Sequence, residues 1–247
     1  MVQSEQRLAV LIDADNASKE NLKAIMDEVA KYGLTTIKHA YGDWARLSGW
    51  KDVLLEIGAV PVQQYAYTTG KNATDAALII EAMDILHTND VEGFVIVSSD
   101  SDFTPLALRL RESGRKVYGI GEKKTPRPFI TACDKFIYVE ILSPTHVEQK
   151  EKLDAAAPVQ APQSPQPQNK HIPDRTIKFL AQCIMESSGE GGQSQLSALG
   201  SIIGKKRPDF DSRNYGYSQL SKLLRAIPRF EVGGMGGHVW VKDKEAK

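Results

Sequence analysis

The sequence predicts a doubly wound α/β domain with a mostly parallel sheet, followed by a small winged helix-turn-helix domain. Three observations carry this prediction. Short apolar runs alternate with stretches of helical period through the front of the chain. The stretch VEQKEKLDAAAPVQAPQSPQPQNK (Val147–Lys170) has no periodicity and is rich in Pro, Gln and Ala, so it reads as a linker. Behind it, helical patterns give way to two strand-like runs across GGMGG. The expected organisation is therefore a first domain at 6–143, a disordered linker at 144–170 and a second domain at 171–243.

Taken in order, the strand-like runs are RLAVLID (7–13), TTIKHAYG (35–42), AVPVQQYA (59–66), GFVIVSS (93–99), KVYGIG (116–121) and KFIYVE (135–140). Helical patterns lie between them at 18–31, 44–57, 73–88, 103–113 and 127–133. Gly114 stands where a helix C-terminal cap belongs. Continuous apolar strands separated by helices mean a sheet covered on both faces, with an expected strand order of 3-2-1-4-5. The second domain reads as the helix RTIKFLAQCIMES, helices at 194–204 and 216–226, and strands at 229–232 and 238–242.

Net charge is zero, but residues 1–143 carry 16 Lys+Arg against 20 Asp+Glu, and 171–247 carry 12 against 8. An acidic front and a basic back point to nucleic-acid contact by the second domain. No run approaches the roughly 20 apolar residues of a membrane span, and the N-terminus lacks a signal peptide's pattern, so a cytoplasmic location is expected. Cys133 and Cys183 lack metal-ligand spacing and read as buried thiols.

Ligands of doubly wound folds bind beyond the carboxyl ends of the strands, where strand order reverses. Strand one ends LIDADNAS, with Asp13, Asp15 and Asn16; strand four ends VSSDSDF, with Asp100 and Asp102. In the order 3-2-1-4-5 these clusters are neighbours. Asp75 begins the helix after strand three. Such carboxylates repel one another unless a cation, a proton or a helix terminus offsets them. Aspartates near helix starts also serve as caps, which is the plainer role for Asp102 and Asp75. Oxygen ligands suit Mg²⁺ or Mn²⁺, and no His/Cys pattern suits zinc. A metal so held activates a water and neutralises a phosphodiester's charge. His39, inside a strand, and His87, near a helix end, read as structural.

On the motifs LIDADN, GKNATDAALIIEA, IVSSDSDF and KTPRPFITACDKFIY, the front domain resembles the NYN domains of the PIN-like nucleases. The resemblance covers most of 6–141 and implies a Mg²⁺- or Mn²⁺-dependent ribonuclease. By position it assigns Asp13, Asp75 and Asp100 to the core acidic set, Asn16 to the asparagine of the first motif, and Asp102 to the second aspartate of the fourth-strand motif. Asp15 stays unassigned. The implied metal ligands are Asp13, Asp75, Asp100 and Asp102. Phosphates need cations nearby, and Lys71, Lys123, Lys124 and Arg127 are the candidates; Tyr41, Trp44 and Trp50 are candidates for base stacking or packing.

The stretch DFDSRNYGYSQLSKLLRAIPRFEV resembles the OST-HTH (LOTUS) domains, which implies RNA binding or docking to a protein partner. Lys205, Lys206, Arg207, Arg213, Lys222 and Arg225 are candidates for a phosphate-facing surface. The leading expectation is a metal-dependent endoribonuclease with an appended RNA-binding module. The first alternative is a non-catalytic RNA-binding regulator with a retained metal site. A haloacid-dehalogenase-like phosphatase is a minor alternative, drawn from the D-x-D of Asp13 and Asp15, although Ala17 occupies the place usually held by Thr or Val. The open edges of an α/β sheet can also support a homodimer.

Overall fold

The computed structural model describes residues 5–64, 73–88, 90–142, 172–189, 192–234 and 238–246. Lys71, the 144–170 stretch and the tip of the GGMGG hairpin lie outside the described residues. The chain divides into two compact units, Met1–Asp154 and Ala155–Lys247.

In the front unit, β1 (Arg7–Asp13), β2 (Leu34–Gly42), β3 (Val60–Gln63), β4 (Gly93–Val97), β5 (Lys116–Gly121) and β6 (Lys135–Tyr138) form one sheet in the order β3-β2-β1-β4-β5-β6. Every pair is parallel. The crossovers contain α1 (Leu22–Val29), α2 (Lys51–Ile57), α3 (Ala73–Thr88), α4 (Thr104–Glu112) and α5 (Arg127–Ala132). The observed order extends the expected one by β6 at the edge.

Side chains of a strand alternate between faces, and β1 divides accordingly. Ala9 and Leu11 join Leu78, Phe103, Leu110 and Phe129 in the core under α3, α4 and α5. Leu8, Val10 and Ile12 join Ile25, Leu54 and Ile137 in the core under α1 and α2. Burial on both faces explains why β1 and β4 read as unbroken apolar runs.

Two helical expectations end short. The 44–57 pattern becomes helix only at Lys51, because residues 43–50 are held in turns. Gln63 Oε1 accepts from the Trp44 N–H at 3.0 Å, Gln63 Nε2 donates to Asp43 Oδ1 at 3.0 Å, and Gly49 takes φ 75°. The 18–31 pattern likewise opens with a 3-10 turn at Lys19–Asn21 before α1. Tyr41 is fully buried and Trp50 is 5% exposed, with Trp44 edge-on to Trp50. Tyr41 and Trp50 are therefore packing residues.

In the back unit, α6 (Asp174–Ser187), α7 (Leu196–Lys206) and α8 (Leu220–Arg225) pack beside a sheet of order β7-β9-β8. Its strands are β7 (Gln193–Gln195), β8 (Phe230–Gly233) and β9 (Trp240–Asp243), paired antiparallel. Leu180, Leu199, Ile203, Leu223, Leu224 and Val241 form its core. The strand β7 has no apolar run to announce it; only Ser194 of its three residues is buried. Both cysteines are free and buried. Among the described residues no helix is long and apolar enough to cross a membrane.

Candidate functional site

The alternation that builds the core also aims the site. Asp13 follows Ala9 and Leu11 on the face toward α3 and α4, and Ser98 follows Phe94 and Ile96 on the same face of the next strand. The register Ile12↔Val97 then sets Asp13 beside Ser98. Asp13 is fully buried, and both its oxygens accept hydrogen bonds. Oδ2 accepts from Ser98 Oγ at 2.7 Å and Asn16 Nδ2 at 2.9 Å, and Oδ1 from the N–H groups of Asp15 and Asn16. Burial raises the Asp13 carboxyl above its ordinary range, with Ser98 and Asn16 pulling it back.

Ser98 is a residue that the motif reading passed over. Its hydroxyl donates to Asp13 and accepts the Asp100 N–H at 3.0 Å, so one side chain ties the two acidic strand ends together. Face alternation combined with the 3-2-1-4 order is the sequence signal that finds it. The approach of β5 here depends on Gly121, where a Cβ would lie 2.5 Å from the Ser98 carbonyl oxygen.

Beyond β4, Asp100 caps the turn Ser101–Phe103 by accepting the Asp102 N–H on Oδ1 at 2.9 Å. The turn aims Asp100 and Asp102 at the start of α3, where Asp75 occupies the first turn. Carboxylate oxygens of Asp75, Asp100 and Asp102 lie within 4.8 Å of one another. Two carboxylates about 5 Å apart repel by about 3 kcal/mol at an effective dielectric near 20. Asp75 registers that repulsion. Its carboxyl is pushed up to about 6, by burial first and then by the charges of Asp13, Asp100, Asp102 and Asp15. Hard oxygen donors converging with little positive charge among the described residues fit a hard divalent cation.

The structure thus brings Asp75, Asp100 and Asp102 into one cluster, with Asp13 and Asn16 beside and beneath it. Asp15 is exposed. His39, half-buried on β2, has Nδ1 at 2.5 Å from Glu81 Oε1, and His87 is exposed in the last turn of α3.

The candidate cations occupy different situations. Lys123 and Lys124 are exposed on the loop after β5, and Arg127 is exposed at the first position of α5. That loop is anchored by the Glu122 N–H to Ser99 Oγ, at 2.9 Å, and the Lys123 N–H to Glu140 Oε1, at 2.8 Å. Lys124 Nζ sits 3.0 Å from Glu122. In the back unit, Lys206 pairs with Glu186 at 2.5 Å, Arg213 forks onto Asp211, and Arg207 lies over the Phe179 ring near Asp209. Lys205, Lys222 and Arg225 are exposed, with no ion-pair partner among the described residues. Six candidate cations therefore reduce to three whose charge is open.

Comparisons with known proteins agree with this geometry. The NYN domain profile matches residues 7–142, and the OST-HTH/LOTUS domain profile matches residues 172–241. No curated protein matches the chain. Solved structures similar to parts of it include the following two. A protein of unknown function from Vibrio parahaemolyticus is 18% identical with a TM-score of 0.47, over 55% of this chain and 94% of that one. An uncharacterized protein from Nitrosomonas europaea is 29% identical with a TM-score of 0.29, over 37% of this chain and 94% of that one. Both scores are too low to bear on function. The profile that spans the whole six-stranded unit, acidic strand ends included, places the chain in the NYN-domain family, with an OST-HTH/LOTUS domain behind it.

Proposed function

We propose that the protein is a metal-dependent ribonuclease, with phosphodiester hydrolysis centred on Asp75, Asp100 and Asp102 and an RNA-binding module in the back unit. The single observation that carries this reading is the convergence of those three carboxylates at the reversal point of a sheet of NYN type. Mg²⁺ or Mn²⁺ fits the donor set. When bound, such a cation supplies Lewis acidity toward a phosphate oxygen and toward a water.

The chain's own residues have separable tasks. Asp75, Asp100 and Asp102 hold the cation, drawn from a helix start and a strand end that are fixed independently. Asp13 lies behind them with both oxygens engaged, so it acts by its charge and by fixing Asn16 and Ser98. Asn16, exposed at the lip, is available to a phosphate on its solvent side. Lys123, Lys124 and Arg127 flank the centre as phosphate contacts. Lys205, Lys222 and Arg225 supply sequence-independent affinity for the RNA backbone.

The test is cleavage of labelled single- and double-stranded RNA and DNA with Mg²⁺, Mn²⁺ or EDTA, comparing wild type with a folded Asp100→Asn variant. Metal-dependent cutting of RNA that the variant lacks is the expected result. Tight RNA binding without cutting under any metal would replace this reading with that of a binding regulator.

A further inference from the structure

We infer that the front unit carries a second, phosphate-binding site at the amino-terminal end of its sheet, in the pocket formed by Arg111, Arg115 and Lys116. This pocket is remote from the acidic centre. β5 begins at Lys116 and ends at Gly121; at about 3.3 Å per residue, its length separates the two by roughly 17 Å.

The pocket is open, about 430 Å³ in volume, and its walls include Leu108, Arg111, Glu112, Arg115, Lys116 and Asp134. That volume lies within the range of about 300–1,000 Å³ typical of small-ligand sites. Its three cations outnumber its two carboxylates, and both carboxylates are already engaged. Asp134 Oδ2 accepts the Val117 N–H at 2.9 Å, while Oδ1 lies 3.5 Å from Arg111 Nε and 3.7 Å from Lys116 Nζ. Asp134 therefore holds two cations at the wall without cancelling both. Glu112 leans toward Arg109, outside the pocket, at 3.9 Å.

One of the cations is set before any ligand arrives, and another has a donor left over. Arg111 Nη1 donates to the Ala132 carbonyl at 3.1 Å, which fixes its guanidinium against α5. Arg115 Nε is buried and has no acceptor among the described residues. Asp90, whose carboxyl is held low mainly by Arg7, feels Arg115 only as a lesser charge. A buried N–H of a charged group without an acceptor is costly, and since the Arg115 side chain is half-exposed at the pocket wall, a turn of its guanidinium would bring that N–H to a phosphate oxygen. The planar guanidinium fork also suits the oxygens of a phosphate better than a point charge does.

The end of α4 does not oppose an anion strongly. The carbonyls of Arg109, Leu110 and Arg111 accept from Ser113, Arg115 and Gly114 in the following turn. Leu108, 46% exposed at the lip, offers an apolar wall beside the charges, as a ribose or base requires. The ligand is therefore the phosphate group of a nucleotide or of an RNA strand.

The experiment follows the arginine Nε–H resonances of the intact ¹⁵N-labelled protein in EDTA, so that no cleavage intervenes and the nuclease reading is not at stake. Probes are inorganic phosphate, a short 5′-phosphorylated oligoribonucleotide and the same oligomer without its terminal phosphate. The Arg115 peak, assigned by its loss in Arg115→Lys, is expected to shift saturably with phosphate and not with chloride at equal ionic strength. Arg115→Lys, checked for an unchanged melting temperature, should weaken the oligomer about fivefold. Lys116→Ala should reduce the salt slope of binding by about 1. A response to both oligomers assigns the pocket to backbone phosphates; a response to the phosphorylated one alone assigns it to a terminal phosphate. No shift with any probe, or unchanged affinity in Arg115→Lys, overturns the site.

Discussion

Asp243 of the back unit is 4% exposed and accepts from Arg229 through Nε at 2.9 Å and Nη2 at 2.6 Å, while Asp211 is gripped by Arg213 in the same forked way. Among the described residues, Asp75 and Asp100 of the front unit have no cation partner, and their carboxylates lie within 4.8 Å of each other and of Asp102. The two environments move acidity in opposite directions. Arg229 holds the Asp243 carboxyl below its ordinary range, and burial among like charges drives Asp75 up to about 6. Among the described residues, Asp75 and Asp100 receive no forked arginine of the kind that grips Asp243. The contrast separates carboxylates that an arginine neutralises from carboxylates crowded against one another.

The sharpest way to break this contrast is Asp100→Asn. Outer-sphere partners cost about 10–100-fold in metal affinity or activity, so removal of a proposed direct ligand should lower RNA cleavage by at least about 100-fold. Circular dichroism should be unchanged, since the substituted amide still offers an oxygen to the Asp102 N–H. The matching change in the back unit is Arg229→Ala, which strands the Asp243 charge. It should destabilise that unit by about 2–4 kcal/mol in denaturant titration, the Arg being partly exposed, while leaving Mn²⁺ affinity unchanged.

Ser98→Ala sharpens the comparison from inside the site. It removes the hydroxyl that joins Asp13 to the Asp100 backbone, and metal affinity should fall by about 10-fold while Ser98→Thr retains most of it. Neutralising Lys205, Lys222 and Arg225 one at a time should each reduce the salt slope of RNA binding by about 1, whereas Lys206→Ala, already paired with Glu186, should change it less.

Acidity gives the smallest effect, with a defined sign. The folded-state value of Asp75 lies above its ordinary 3.8. Between about pH 4 and 6 the folded chain thus retains a proton that the unfolded chain releases. Lowering pH from 7.5 to 5 without divalent cation should raise the melting temperature of the front unit, and Asp75→Asn should reduce the rise, leaving the part contributed by the raised Asp13. The depressed Asp243 works the other way, with its contribution lost only as pH falls below about 4 and through its folded value. Mg²⁺ should cancel the front-unit trend, because it favours ionised Asp75.

Most of this architecture was legible in the residues. Unbroken apolar runs such as RLAVLID and GFVIV identified strands buried on both faces, and the expected order 3-2-1-4-5 placed the acidic strand ends side by side. The expectation missed where polar contacts overrode periodicity. Gln63, distant in sequence, holds residues 43–44 in a turn that the 44–57 pattern cannot reveal. The strand β7 has so little apolar character that its pairing with β9 had no local signal. In the site, the aspartates were visible as motif residues, but Ser98 becomes meaningful only once the register Ile12↔Val97 is known. The basic candidates were overcounted, because Glu186, Asp211 and the Phe179 ring are spatial partners that charge counting does not see.

The most direct test of the central claim is Mn²⁺ binding to the intact, metal-free protein, measured by calorimetry or electron paramagnetic resonance at pH 7.5. Wild type should bind the ion saturably, with affinity lowered at least about tenfold in both Asp75→Asn and Asp100→Asn, and weakened as pH falls through about 6. No saturable binding, or binding untouched by both substitutions, would contradict the account.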